Sequence, residues 1–258
     1  MPVAADLYYF EHPGRERCRP PAILIHGAGG THLHWPPEVR RLAGYRVFAP
    51  DLPGHGKSGG VGRQSVPEYA RCVVDLMDAV GLSKAVVVGH SLGGAIALTL
   101  ALDHADRVAG LGLIATGARL RVASVILENT SNPATFPLAI KAMGEWAFGP
   151  EADERMKELA MKRMAETRPT VLHGDFLACD SFDVINRLGE IRVPTLILCG
   201  TEDKLTPLRY SEYLATQIPG AALQTIAAAG HMVMLEQPRR VAGALRVFLG
   251  TVPYIPGM

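Results

Sequence analysis

Residues 85–95 read AVVVGHSLGGA, and their reading decides the fold. Ala85 to His90 begins as a short, continuously apolar run, the pattern of a strand covered on both faces in a parallel sheet. Leu92 to Ala105 is small and apolar nearly all round, which predicts a central helix packed closely against that sheet. Between them stands Gly89-His90-Ser91-Leu92-Gly93, a G-x-S-x-G pentapeptide. A serine there occupies a very tight strand-to-helix turn with its oxygen projecting free, and larger flanking residues would clash. The helix start places backbone N–H groups and a positive dipole end beside it, favouring a developing negative charge.

The same rhythm extends in both directions. Ala22 to Gly27, Tyr45 to Asp51, Val108 to Thr116 and Thr195 to Asp203 read as further strands, with Leu223 to Ala227 a weaker sixth. Pro67 to Val80 puts Ala70, Val73, Val74, Met77 and Val80 on one helical stripe, opposite Arg71, Asp75 and Asp78. Strands alternating with helices predict an α/β fold, a mostly parallel central sheet with helices on both faces. Residues 119–189 break the rhythm: they hold no convincing strand and are rich in helix formers, methionine and aromatics. Glu151 to Glu166 reads as a helix ending before Arg168-Pro169, since the residue before proline disfavours the α region. Ordinary crossovers are shorter. The expected organisation is therefore a core of residues 1–118 and 190–258 with an inserted helical lid at 119–189.

Composition excludes several classes. The 258 residues are 48% hydrophobic and 20% charged, with 26 Lys plus Arg against 25 Asp plus Glu, a net charge of +1. That length is ample for a sizeable core. A near-neutral balance without basic clusters argues against nucleic-acid binding and a polybasic membrane anchor, and no apolar run reaches the roughly 18 residues of a membrane span. Met1 to Arg19 carries Asp6, Glu11 and Glu16 and lacks the apolar core of a signal peptide. Cys18, Cys72, Cys179 and Cys199 have neither metal-type spacing nor disulfide density. The expectation is a soluble, cytoplasmic protein; Cys72 and Cys199, within core elements, read as inert buried thiols. Oligomeric state is not legible.

A nucleophilic serine requires a base, and the base an orienting carboxylate. His231 follows the last strand in Ala229-Gly230-His231-Met232, where a loop would deliver an imidazole to the sheet's C-terminal edge. Asp203 follows the strand from Thr195 in Gly200-Thr201-Glu202-Asp203, and Glu202 is its rival on spacing alone. The chain order Ser91, Asp203, His231 is that of a nucleophile-elbow hydrolase.

With His26-Gly27-Ala28-Gly29-Gly30, Asp51-Leu52-Pro53-Gly54-His55-Gly56-Lys57-Ser58, and Gly230-His231 followed by Leu235-Glu236-Gln237-Pro238, these motifs stand in a specific order. Over nearly its whole length the chain resembles the α/β-hydrolase fold superfamily. The resemblance implies oxyanion-hole N–H groups from Ala28 and Leu92 and selects Asp203 over Glu202. The alternative acid position, Ala115-Thr116-Gly117-Ala118, carries no carboxylate. It further implies a serine hydrolase, without cofactor or metal, acting on a small-molecule carboxylic ester or related acyl compound. Ser91 counts against the dehalogenase and epoxide-hydrolase branches, whose nucleophile is aspartate. C–C bond hydrolases of ring-fission diketones are the nearest alternative, weakened because Met232 stands where that branch usually has tryptophan. Lactonase, cofactor-free haloperoxidase-like and acyltransferase activities remain open, as does a non-catalytic ligand-binding role, since fold kinship does not settle chemistry.

Other motifs read as structural. Gly54-His55-Gly56-Lys57-Ser58-Gly59 matches a dinucleotide fingerprint and partly a P-loop, but Gly60, Gly62 and Pro67 follow where a helix should open. His32 and His34 lack further ligands at zinc spacing; with Trp35 they form either a pocket wall or a solvated loop. His26 and His90 read as structural supports. Met143, Trp146, Phe148, Met156, Met161 and Met164 read mostly as the lid's own core, a minority facing substrate.

Overall fold

The computed structural model describes residues 2–14 and 19–253; Met1, Glu16 and Cys18 lie outside that range. Its sheet has eight strands in the order β1-β2-β4-β3-β5-β6-β7-β8. They are β1 (Val3–Ala4), β2 (Leu7–His12), β3 (Ala22–Ile25), β4 (Val47–Pro50), β5 (Ala85–His90), β6 (Val108–Ile114), β7 (Thr195–Gly200) and β8 (Ala222–Ile226). From β4 to β8 every pairing is parallel, whereas β2 runs antiparallel to both β1 and β4.

Burial explains the continuous apolar runs. Along β5, Ala85 and Val87 pack into the core on one face, while Val86 and Val88 pack into the core on the other. In β3, Ile23 and Ile25 face the first side and Ala22 and Leu24 the second. Both faces are thus covered, as a parallel sheet requires. The first core takes side chains of α2 (Val66–Ala79), α3 (Leu92–Asp103) and α8 (Leu208–Gln217); the second takes α1 (Pro37–Arg40) and α10 (Pro238–Thr251).

The differences from the sequence reading are local. The antiparallel pair β1–β2 was not expected from a polar N-terminus. On α2 the buried stripe is Val66, Tyr69, Ala70, Val73, Leu76 and Met77, so Val74 and Val80 sit at its margin. Cys72, on the same helix, is half-buried rather than buried, whereas Cys199 is fully enclosed.

Strands β6 and β7 are paired neighbours, yet the chain between them makes α4 (Ser124–Ser131), α5 (Phe136–Trp146), α6 (Glu154–Ala165) and α7 (Pro169–Ser181). Asp153 caps α6 by accepting the Met156 N–H at 2.8 Å, and Pro169 opens α7. Both devices suit a helix start, where proline lacks only an N–H that would have no partner. The segment is tied to the sheet at the loop after β8: Ala147 accepts the Met232 N–H at 3.0 Å, and the Glu236 carboxylate accepts the N–H groups of Gly149 (2.9 Å) and Gly230 (3.0 Å). Among the described residues no helix is long and apolar enough to cross a membrane.

Candidate active site

Ser91 sits between β5 and α3 with φ 53° and ψ −116°. A non-glycine residue in that region is strained, and such strain persists only where the surroundings over-determine it. They do so here. A β-carbon on Gly89 would stand 1.9 Å from the Gly93 carbonyl oxygen, and one on Gly93 would stand 2.1 Å from that of Ile25. The turn is therefore pressed against the end of β3, and the Ser91 N–H is anchored on the Ile114 carbonyl at 3.0 Å.

Asp203, after β7, and His231, after β8, are both buried and meet at 2.9 Å between Oδ2 and Nδ1. Asp203 Oδ1 accepts the N–H groups of Leu205 and Thr206, each at 2.8 Å, and Oδ2 accepts the Thr206 hydroxyl at 2.8 Å. Burial alone would raise the Asp203 carboxyl, but the imidazole and these donors outweigh it and hold the group below its ordinary value. A proton on His231 Nδ1, facing the carboxylate, leaves the lone pair on Nε2. Glu202, the rival acid, is exposed and, among the described residues, accepts only from the Thr201 hydroxyl.

Ser91, His231 and Ala28 line one cavity of about 210 Å³. Among the described residues no hydrogen bond joins Ser91 to His231, and the Ala28 and Leu92 N–H groups have no protein acceptor. The inserted helices supply an apolar wall that includes Ile126, Met143, Trp146, Met164 and Phe176. Arg121 and Lys204 are the charged side chains of the lining, which includes no carboxylate.

The remaining histidines divide clearly. His26 Nε2 accepts the Leu52 N–H (3.0 Å), so Nδ1 carries the proton and donates to the Gly27 carbonyl (2.8 Å). Burial, then repulsion from His55, push its pKa down to about 3. His90 donates through Nε2 to the His231 carbonyl at 3.0 Å and is held well below its ordinary value, chiefly by burial. Both are neutral supports. His32 and Trp35 are buried rather than solvated, with His32 paired to Asp51 at 2.8 Å, while buried His34 forms part of the cavity wall. Met143, Trp146 and Met164 reach the cavity, whereas Phe148 packs into the sheet's second core.

Sequence reasoning missed Thr206, which braces Asp203, and a second buried pair, His55 Nε2 with Asp175 Oδ2 at 2.8 Å. One signal was available: Asp175 is a lone carboxylate among the buried Val171, Leu172, Phe176 and Ala178 of α7, a place an acid occupies only when paired.

A mostly parallel sheet whose strand ends converge on one cavity beside a strained serine is the architecture of an α/β hydrolase. The chain belongs to the alpha/beta hydrolase family, whose family model matches residues 22–244. It is 31% identical to a protein of Azorhizobium caulinodans named "Putative carbamate hydrolase RutD", over 98% of this chain and 99% of that one. It is 30% identical to the 2-hydroxy-6-oxo-6-phenylhexa-2,4-dienoate hydrolase of Burkholderia cepacia, over 83% and 82%. The solved structure of a thermophilic esterase superposes with a TM-score of 0.82 at 38% identity, covering 96% of this chain and all of that one.

Proposed function

We propose that the protein is a serine hydrolase cleaving carboxylic esters or related acyl compounds through an acyl-enzyme. The observation that carries the reading is the His231–Asp203 contact of 2.9 Å beside a cavity that Ser91 also lines. His231 Nε2 takes the proton of the Ser91 hydroxyl as Oγ attacks the substrate carbonyl. Asp203 holds the imidazole in the required tautomer and stabilises the imidazolium. The N–H groups of Ala28 and Leu92 receive the tetrahedral oxyanion, where one lost donor typically costs about 3 kcal/mol. The alcohol leaves with the proton from Nε2; water, deprotonated by His231, then releases the acid and restores Ser91. The helices of 119–189 act as a lid whose apolar wall takes up the acyl or alkyl group. The 38% identity to a thermophilic esterase supports this choice of bond.

The test is hydrolysis of a chromogenic short-acyl ester together with labelling by a fluorophosphonate. Turnover is expected in the wild type and absent in Ser91→Ala, with Ser91 alone labelled. No turnover on esters, thioesters or lactones, or labelling elsewhere, overturns the reading.

A second reading takes an acidic acyl substrate, such as a lactone acid or dienoate. It is favoured by Arg121 and Lys204 in a lining without a carboxylate, and by the kinship to a dienoate hydrolase.

A further inference from the structure

The turn that carries Ala28 rests on the end of β5 at Gly27 and is gripped by the inserted segment at Gly29. The peptide N–H immediately after Ala28, that of Gly29, donates to Asp175 Oδ2 on α7 at 2.8 Å. The Gly29 carbonyl accepts the hydroxyl of Thr167, between α6 and α7, at 3.3 Å. A β-carbon on Gly29, where φ is +63°, would meet Leu172 Cδ1 at 2.8 Å and Met164 Cγ at 3.1 Å. Both polar ends of this residue, and the space beside it, are therefore set by residues 164–175.

Asp175 is fully buried and accepts on both oxygens. Oδ2 also accepts from His55 Nε2 at 2.8 Å, and Oδ1 accepts from the Tyr69 hydroxyl at 2.5 Å. His55 Nδ1 donates to the Pro53 carbonyl at 3.1 Å, so both ring nitrogens face acceptors and the ring holds two protons. Burial opposes that charge; Asp175 foremost, then Pro53 and Asp51, more than offset it and raise the His55 pKa. The imidazolium in turn neutralises a carboxylate one peptide away from where an oxyanion would form. A buried ion pair is weak evidence for stability, because well-packed apolar residues often do as well. Its geometric consequence is specific: it fixes the orientation of one backbone amide.

We infer that Asp175 is a positioning residue for the oxyanion donor of Ala28, locking the turn at Gly29 from α7 with Thr167 as a second tether. The inserted helices thereby take part in catalysis as well as in enclosing the substrate. This rests on the proposed acyl-transfer chemistry at Ser91.

The test compares wild type, Asp175→Asn, Asp175→Ala and Thr167→Val, with sites counted by fluorophosphonate titration so that only folded enzyme is scored. The Asp175 variants are expected to lose kcat about tenfold to a hundredfold, with KM changed less than about twofold, since misplaced groups can cost about a hundredfold in rate. Affinity for a trifluoromethyl ketone, which adds to Ser91 and forms an oxyanion, is expected to fall by the same factor. Thr167→Val, which is expected to keep the fold, shows a smaller change of the same kind. Amide exchange at Ala28 and Gly29 is expected to accelerate in every variant, a readout that needs no substrate. Unchanged kcat per titrated site, or a raised KM at constant kcat, overturns the assignment even if stability falls. If the wild type neither turns over an ester nor binds the ketone, the acyl-transfer reading is what fails. Amide exchange then decides the tether alone: acceleration upholds it and unchanged exchange refutes it.

Discussion

His90 Nε2 lies 3.0 Å from the backbone carbonyl oxygen of His231, with the two rings 4.7 Å apart at 54°. The strand that leads into the serine therefore also anchors, through its last residue, the loop that brings the imidazole. His90→Phe keeps a ring in place but removes the donor and leaves a buried carbonyl unsatisfied. The expected outcome is a fall in kcat of about tenfold with little change in KM, measured by steady-state kinetics on the chromogenic ester.

Asp203→Asn should lower kcat about ten-thousandfold while leaving the fold intact, because the amide favours the wrong imidazole tautomer. Stability carries a second signature. The folded-state pKa of Asp203 lies below its ordinary value of 3.8, so its contribution is complete above that value and is lost as pH falls through the lower folded value. The Tm difference between wild type and Asp203→Asn should therefore shrink on acidification below pH 3.8, as measured by thermal unfolding.

Arg121 and Lys204 are exposed cations at the cavity lining, which holds no carboxylate, and Arg121 Nη1 donates to the Asp180 carbonyl on α7. An ester with a terminal carboxylate on its acyl chain should show kcat/KM about 1.5- to fivefold above that of its neutral isostere, the scale of exposed ion pairs. The preference should diminish with added salt, since the screening length is about 10 Å at 0.1 M, and disappear in Lys204→Glu, where Arg121 offsets the new carboxylate. Equal rates for the two esters would remove the second reading of the substrate.

Gly89→Ala should prevent the serine turn from closing. The new methyl group would lie 1.9 Å from the Gly93 carbonyl oxygen and 2.5 Å from the Gly94 nitrogen, both backbone atoms. A loss of about 3 kcal/mol or more is expected, read as a lower urea midpoint with unchanged slope.

What was legible in the sequence is what is encoded locally. Ala85 to Gly93 announces strand, turn and helix within nine consecutive residues, because the serine's backbone strain must be tolerated by its own neighbours. The continuous apolar runs mark β3 to β7 because each is covered on both faces. Leu7–His12 is less legible: near the sheet edge it is buried only at Leu7 and Tyr8, and its short run Leu7-Tyr8-Tyr9-Phe10 stands in a segment that also carries Asp6, Glu11 and His12. Asp203 and His231 are picked out as candidates by the order of motifs along the chain, whereas the contact between Gly29 and Asp175 spans 146 residues. No spacing or periodicity links a glycine turn to a carboxylate on a distant helix; only the packing of α7 against that turn brings them together.

The grip on Gly29 bears on any attempt to redesign selectivity by exchanging helices with a relative. A chimera that swaps the whole of 119–189 discards the carboxylate and the hydroxyl that hold the recipient's own backbone. Such a graft would arrive with new walls and a slack hinge beneath them. Crossovers that keep 164–175 from the host, and trade only the two helices before α6, preserve the machinery while changing the shape it encloses.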